Sequence, residues 1–222
     1  MGKLVNIKIT FLFYIILLIG CEKEEMVTND PEAINTDNNI NLKLGGAKCA
    51  CDNSYNAFYF PVASDTIQEY ITLVNYSYTA KAIYLDGKKL VNNSYNNLGT
   101  IYANKPYELE VQYNEDSNIK YELIFITLPI IQVFTSTEIV DEPKILGKLL
   151  INNPYYQNYN ELSRETESLV GIEIRGNIYL GRPKFSYGFE LWKNEYGEEN
   201  KDMSLLGLRE DDDWILDGMY GD

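Results

Sequence analysis

Lys184 stands in the run Pro183-Lys184-Phe185-Ser186-Tyr187, where a strand begins. Side-chain alternation puts Phe185, Tyr187, Phe189 and Leu191 on one face of that strand and Lys184, Ser186, Gly188 and Glu190 on the other. A lysine on the polar face of a sheet can pair with phosphate oxygens; it can equally be a solvated strand lysine. Upstream, Arg175-Gly176-Asn177 follows another β-type run. Gly176 permits a tight turn whose backbone amides could cradle a phosphate, or the turn simply joins two strands. The acidic run Glu210 to Asp213 precedes Trp214 and offers either carboxylates for a divalent cation or a solvated loop. Cys49 and Cys51 share one face if their segment is a strand. They read as packing residues or as a weak disulfide, because so short a separation suits disulfide geometry poorly. The chain has no His. That excludes Ser-His and Cys-His nucleophilic triads and leaves too few ligands for a zinc site.

A third cysteine has different surroundings. Lys3 and Lys8 precede an apolar run from Ile9 to Ile19, which is too short for a membrane-spanning helix of about 20 residues. Basic region, short apolar core and small residue are the pattern of a cleaved secretory signal. Leu18-Ile19-Gly20-Cys21 resembles a lipobox, which makes 1–20 a lipoprotein signal peptide and the Cys21 thiol the atom that takes the diacylglycerol. The partner so implied is a membrane, reached through the lipid anchor on Cys21; stable anchoring takes more than one acyl chain. Glu22-Lys23-Glu24-Glu25 resembles the export signal of surface lipoproteins of the Bacteroidetes, and it also reads as a solvated acidic linker. The expected location is the outer membrane, lipid-anchored and exposed on the cell surface.

Loss of Lys3 and Lys8 with the leader takes the formal charge from -14 to -16. A chain so acidic repels phosphate backbones, so nucleic acid is not expected as a partner. About 200 residues after Cys21 allow one or two domains. The 19 tyrosines suit half-exposed strand faces; they also suit stacking surfaces for carbohydrate.

The elements that must position these residues are strands. Residues 21–44 are polar, with Pro31 among Asn, Asp and Glu, and read as a flexible tether. From 45 to 128 the pattern predicts a β-sandwich. Tyr70 to Ser77 is a β-type run, and Asp86-Gly87 between Lys81–Leu85 and Lys88–Val91 is a hairpin signal. In Tyr107 to Tyr113 the residues Tyr107, Leu109, Val111 and Tyr113 face one way and Glu108, Glu110 and Gln112 the other, which marks a half-buried antiparallel strand. Tyr121 to Leu128 is more uniformly apolar and therefore more central. Pro129 opens a further strand (IIQVFT), Ile145 to Ile151 supplies another, and 152–167 reads as a loop.

The segment from Gly171 resembles the CotH family of atypical, spore-coat-type protein kinases. The matching pieces are Ile172-Glu173-Ile174-Arg175-Gly176-Asn177, then Pro183-Lys184-x-Ser186-Tyr187, then Leu205-Leu206-Gly207-Leu208 with Asp211 to Leu216, in the family's order and spacing over about fifty residues. The sandwich ending in LPIIQVFT also looks like the domain that often precedes such a module in surface lipoproteins. The resemblance implies a mainly β chain, with an N-terminal β-sandwich followed by a truncated α+β kinase-like lobe at 129–222. It implies that Arg175, Gly176, Asn177 and Lys184 face nucleotide, with ATP and Mg or Mn as cofactors of the complete family domain and Ser/Thr of proteins as acceptors. Phe185 and Gly188 stand where the family usually has Lys and Arg, which lowers the positive charge near the phosphates. The family's catalytic and metal-binding acids lie beyond the position matching Asp222, so no catalytic residue and no metal ligand is carried over, and little or no kinase activity is expected. The alternative is a surface binding or adhesion module recognising glycan or host protein through the sandwich, with Asn92 to Asn97 as its first candidate loop.

Overall fold

A computed structural model describes residues 40–114, 117–154, 165–175 and 185–218. The chain is mainly β across several sheets, and no helix occurs among the described residues. The helical part of the expected α+β lobe therefore has no counterpart there.

The N-terminal unit packs two sheets over one core. The first contains β1 (Lys43–Leu44), β2 (Ala47–Lys48), β6 (Ile71–Asn75) and β9 (Ser94–Asn97), in the order β2-β1-β6-β9. The second contains β3 (Ala50–Asp52), β4 (Ala57–Pro61), β7 (Ala82–Leu85), β8 (Lys88–Leu90), β11 (Pro106–Gln112) and β12 (Asn118–Ile126), in the order β3-β4-β12-β11-β7-β8. A two-stranded ribbon pairs β5 (Thr66–Ile67) with β10 (Ile101–Tyr102). Leu44, Ala47 and Val74 from the first sheet meet Phe58, Phe60, Ile83, Leu109, Leu123 and Phe125 from the second.

The alternation in β11 holds: Tyr107, Leu109 and Val111 are buried, while Glu108 and Glu110 point outward. The apolar β12 is central, parallel to β4 and antiparallel to β11. The Asp-Gly hairpin forms between β7 and β8, with Asp86 at φ 47° and Gly87 at φ 76°, the left-handed pair that a two-residue hairpin turn requires.

The tether boundary needs correction. Ile40, Leu42 and Leu44 are buried, so the packed unit begins at least at Ile40 rather than at 45. The alternation Ile40-Asn41-Leu42-Lys43-Leu44 carries this signal, but polar residues to its N-terminal side mask it in any window average.

The second unit is one antiparallel sheet of β13 (Ile130–Thr135), β14 (Ile145–Asn152), β15 (Glu165–Arg175), β16 (Ser186–Trp192) and β19 (Asp213–Leu216), in that spatial order. A small ribbon pairs β17 (Met203–Ser204) with β18 (Glu210–Asp211) beside it. Val133, Leu149, Ile151, Val170, Ile172, Tyr187, Phe189 and Leu191 make its apolar face. A third cluster, Ala50, Ile126 and Ile130 with Tyr59, Ile124 and Leu128, joins the two units. Beside it Asn152 Nδ2 donates to the Lys48 carbonyl at 3.2 Å, and the Lys48 ammonium lies 5.5 Å from the centre of the Phe134 ring.

Candidate functional site

Two polar faces result, one on each unit. On the C-terminal sheet, β15 and β16 pair so that Arg175 lies opposite Ser186 and Glu173 opposite Gly188. Tyr187, Phe189 and Leu191 are buried, and Ser186, Gly188 and Glu190 lie on the opposite face, as the alternation predicts. Arg175 is the exposed last residue of β15. Gly176, Asn177 and Lys184 lie outside the described residues, as does Cys21. Of the four expected nucleotide-facing residues, Arg175 is the one that falls among the described residues.

Around Arg175 the face is ionic. Lys144 pairs with Glu190 and lies 4.0 Å from Glu173 Oε1, with all three side chains about three-quarters buried. The ammonium thus compensates two carboxylates that would otherwise repel each other across adjacent strands. Ser186 Oγ donates to Asp217 Oδ1 at 3.0 Å and accepts the Gly218 N–H at 3.2 Å. A Cβ built on Gly188 would come no closer than 3.7 Å to Glu173 and 4.0 Å to Arg175. A side chain at Gly188 would thus sit in ordinary van der Waals contact with the Glu173 and Arg175 stems. Chemically the face can hold an anion near Arg175, while the Lys144 charge is already engaged.

The acidic run folds on itself. Asp211 Oδ1 accepts the Asp212 N–H at 3.1 Å, Asp211 pairs with Arg209, and Asn200 donates to Asp212. Among the described residues no three His, Cys, Asp or Glu side chains converge as metal ligands. Trp214 Nε1 donates to the Asp211 carbonyl at 3.0 Å, and its ring packs against the core of the sheet. Cys49 is buried and Cys51 half-buried in the core of the N-terminal unit, and Cys51 Sγ donates to Asn53 Oδ1 at 3.2 Å.

The second face is the outer side of the four-stranded sheet. The inner residues are Leu44, Ala47, Thr72, Val74 and Asn96, all buried. Their neighbours point outward in register: Lys43 opposite Asn75, Leu73 opposite Tyr95, and Ile71 opposite Asn97. Tyr95 is 74% exposed and Tyr78 87%. Asn75 donates to Asn93 Oδ1, and Asn93 Nδ2 donates to the Tyr78 hydroxyl at 3.3 Å.

The expected Asn92–Asn97 loop is a tight turn leading into β9. Asn92 accepts the Tyr76 N–H at 2.9 Å and donates to its carbonyl at 3.0 Å. Asn96 does the same to Val91, at 2.8 and 2.9 Å, and is buried. These two amides substitute for missing strand partners, so the residues that remain for a ligand are Asn93, Tyr95 and Asn97.

Sequence reasoning missed Lys144, Glu173 and the outward row of Lys43, Leu73 and Tyr95. Strand parity signals which side each residue takes, but which strands lie side by side is a tertiary fact. No protein-family model matches the chain, and no curated protein or solved structure matches it.

Proposed function

We propose that the chain is a lipoprotein held at the outer membrane through Cys21 and displayed on the cell surface, where its N-terminal unit recognises glycan. The observation that carries the recognition reading is the outer face of the four-stranded sheet. It sets an exposed tyrosine ring among the amides of Asn75, Asn93 and Asn97. An aromatic ring offers a flat surface to the C–H face of a sugar, and amides in the same plane donate to and accept from its hydroxyls. The test is a glycan array with the mature chain, residues 22–222. Binding that Tyr95→Ala abolishes while circular dichroism is unchanged supports the reading; binding indifferent to Tyr95→Ala contradicts it. Anchoring is tested separately by palmitate labelling in the native host, which Cys21→Ser should abolish.

A second reading is favoured by one feature of the C-terminal sheet. Arg175 is exposed and outside any ion pair of the described residues, with its stem beside Gly188. This supports the resemblance to CotH kinases, in which Arg175, Gly176, Asn177 and Lys184 would approach ATP phosphates in a kinase-like lobe. Phosphoryl transfer also needs a positioned base and metal-held phosphates. The expected result with labelled ATP and Mg²⁺ or Mn²⁺ is no transfer to protein. Transfer that disappears in Lys184→Ala would establish the kinase reading instead.

A further inference from the structure

The strand carboxylates of the sandwich are confined to one of its two sheets, which bears on the class of glycan the other can take. The strands of the four-stranded sheet, β1, β2, β6 and β9, carry Lys43 and Lys48 and no Asp or Glu. Every carboxylate on a strand of the N-terminal unit lies on the six-stranded sheet: Asp52, Glu108, Glu110 and Glu122. The six-stranded sheet also carries Lys88, Lys89 and Lys120, so lysines lie on both sheets, but in a chain of formal charge -14 the four-stranded sheet is the one whose strands carry cations and no acid. Lys88 reaches across from β8 and donates its ammonium to the Asn97 carbonyl, which puts a further cation at the β9 edge of the face. Lys43 sits in the outward row between Lys48 and Asn75 and enters none of the ion pairs among the described residues. Lys48 is engaged with Phe134 at the border with the second unit, so Lys43 and Lys88 are the cations that face a ligand.

Strand spacing and rise make the patch roughly 10 Å by 13 Å, the span of a short run of pyranose rings. Tyr95 stands opposite Leu73, Lys43 lies opposite Asn75 two residues further along β6, and Lys88 is at the far edge. Cations thus flank an aromatic platform on two sides. From this charge complementarity we infer that the face takes an acidic polysaccharide, one bearing uronate or sulfate groups, with Tyr95 under a sugar ring and Lys43 and Lys88 on the anionic substituents. The inference rests on the recognition reading above and adds the charge class of the ligand.

The experiment uses the mature chain with polygalacturonate and dextran sulfate as acidic probes and dextran as the neutral one. The expected result is binding to at least one acidic polymer and none to dextran, weakening as salt rises. Tyr95→Ala should weaken it by about tenfold or more, the range of an aromatic anchor. Lys43→Gln should weaken it by roughly threefold or more and flatten the salt dependence. Lys120→Gln on the opposite sheet should leave it unchanged. Binding to dextran as tight as to the acidic polymers, lost in Tyr95→Ala but not in Lys43→Gln, overturns the charge class and keeps glycan recognition. Equal weakening by Lys120→Gln marks unspecific ionic attraction and overturns the inference. Failure to bind any of the three polymers, together with a blank glycan array, sinks both readings. All three positions are exposed or half-exposed, and unchanged circular dichroism separates lost binding from lost folding.

Discussion

Trp192 packs on Gly171: a Cβ at that position would lie 1.9 Å from Trp192 Cζ2. Gly197, at φ 68°, approaches the same ring from its own loop, and a Cβ there would lie 2.8 Å from it. Gly171→Ala forces the indole out and should cost about 1–3 kcal/mol, read by urea denaturation with tryptophan fluorescence as probe. A variant as stable as the parent would mean that the ring has another place to go. Tyrosines set the alkaline limit. Burial raises the hydroxyls of Tyr113, Tyr121 and Tyr187, and for Tyr113 the neighbouring Tyr121 adds to the rise. Tyr59 is raised by burial and then by Asp52 and Glu122. A raised value in the folded state means that folding favours the protonated form. This stabilisation is complete below the ordinary tyrosine value of about 10 and is lost as pH rises beyond it. Denaturation midpoints should therefore fall steeply above about pH 10, with phenolate absorbance appearing alongside unfolding. Ionisation of every tyrosine at the ordinary value with no loss of stability would contradict this.

At the scale of elements, β12 organises the N-terminal unit. Its Phe125 is fully buried and meets Phe60, Tyr70 and Tyr107 edge-on, with ring centroids 6.3, 5.9 and 5.6 Å away. Phe125→Ala removes all three contacts and leaves a cavity, so a loss of about 3–5 kcal/mol is expected, measured by thermal or chemical unfolding. A change under roughly 1 kcal/mol would mean that the core collapses into the space. Most of these strands are legible in the sequence because each carries its own signal. The alternation of Tyr107, Leu109 and Val111 and the Asp86-Gly87 turn are local, and local patterns survive folding. Asn92 and Asn96 were illegible for the opposite reason. Asparagine suggests an exposed loop by composition, yet both amides face inward, because Tyr76 and Val91 present backbone groups that require partners. For Asn92 that need exists only once the segment after β6 lies beside it, whereas Asn96 meets Val91 within its own turn.

For the whole molecule, the joint between the units decides whether they act as one body. Ile130 and Ile126 pack on Ala50, Asn152 reaches the Lys48 carbonyl, and Lys48 covers Phe134. Asn152 Oδ1 is buried without a hydrogen-bond partner, so the polar part of this joint is incompletely satisfied, and the apolar cluster carries the contact. Ile130→Asp places a carboxylate in that cluster, which is costly without a partner. The parent should melt in one calorimetric transition and Ile130→Asp in two, with the units uncoupled by roughly 2–3 kcal/mol. A single transition in the variant would show that the joint contributes little.

Composition and short-range order alone determined that this chain is built of strands, that one turn is a two-residue hairpin, and which side of β11 and β16 each residue takes. Those properties follow from side-chain parity and turn stereochemistry, which act within a few residues. Tertiary structure alone decided that Ile40 and Leu42 belong to the core and that Lys144 sits between Glu173 and Glu190. It also decided that the strand carboxylates of the sandwich all lie on one sheet. These depend on which strands become neighbours, and neighbours distant in sequence are selected by the packing of the entire chain.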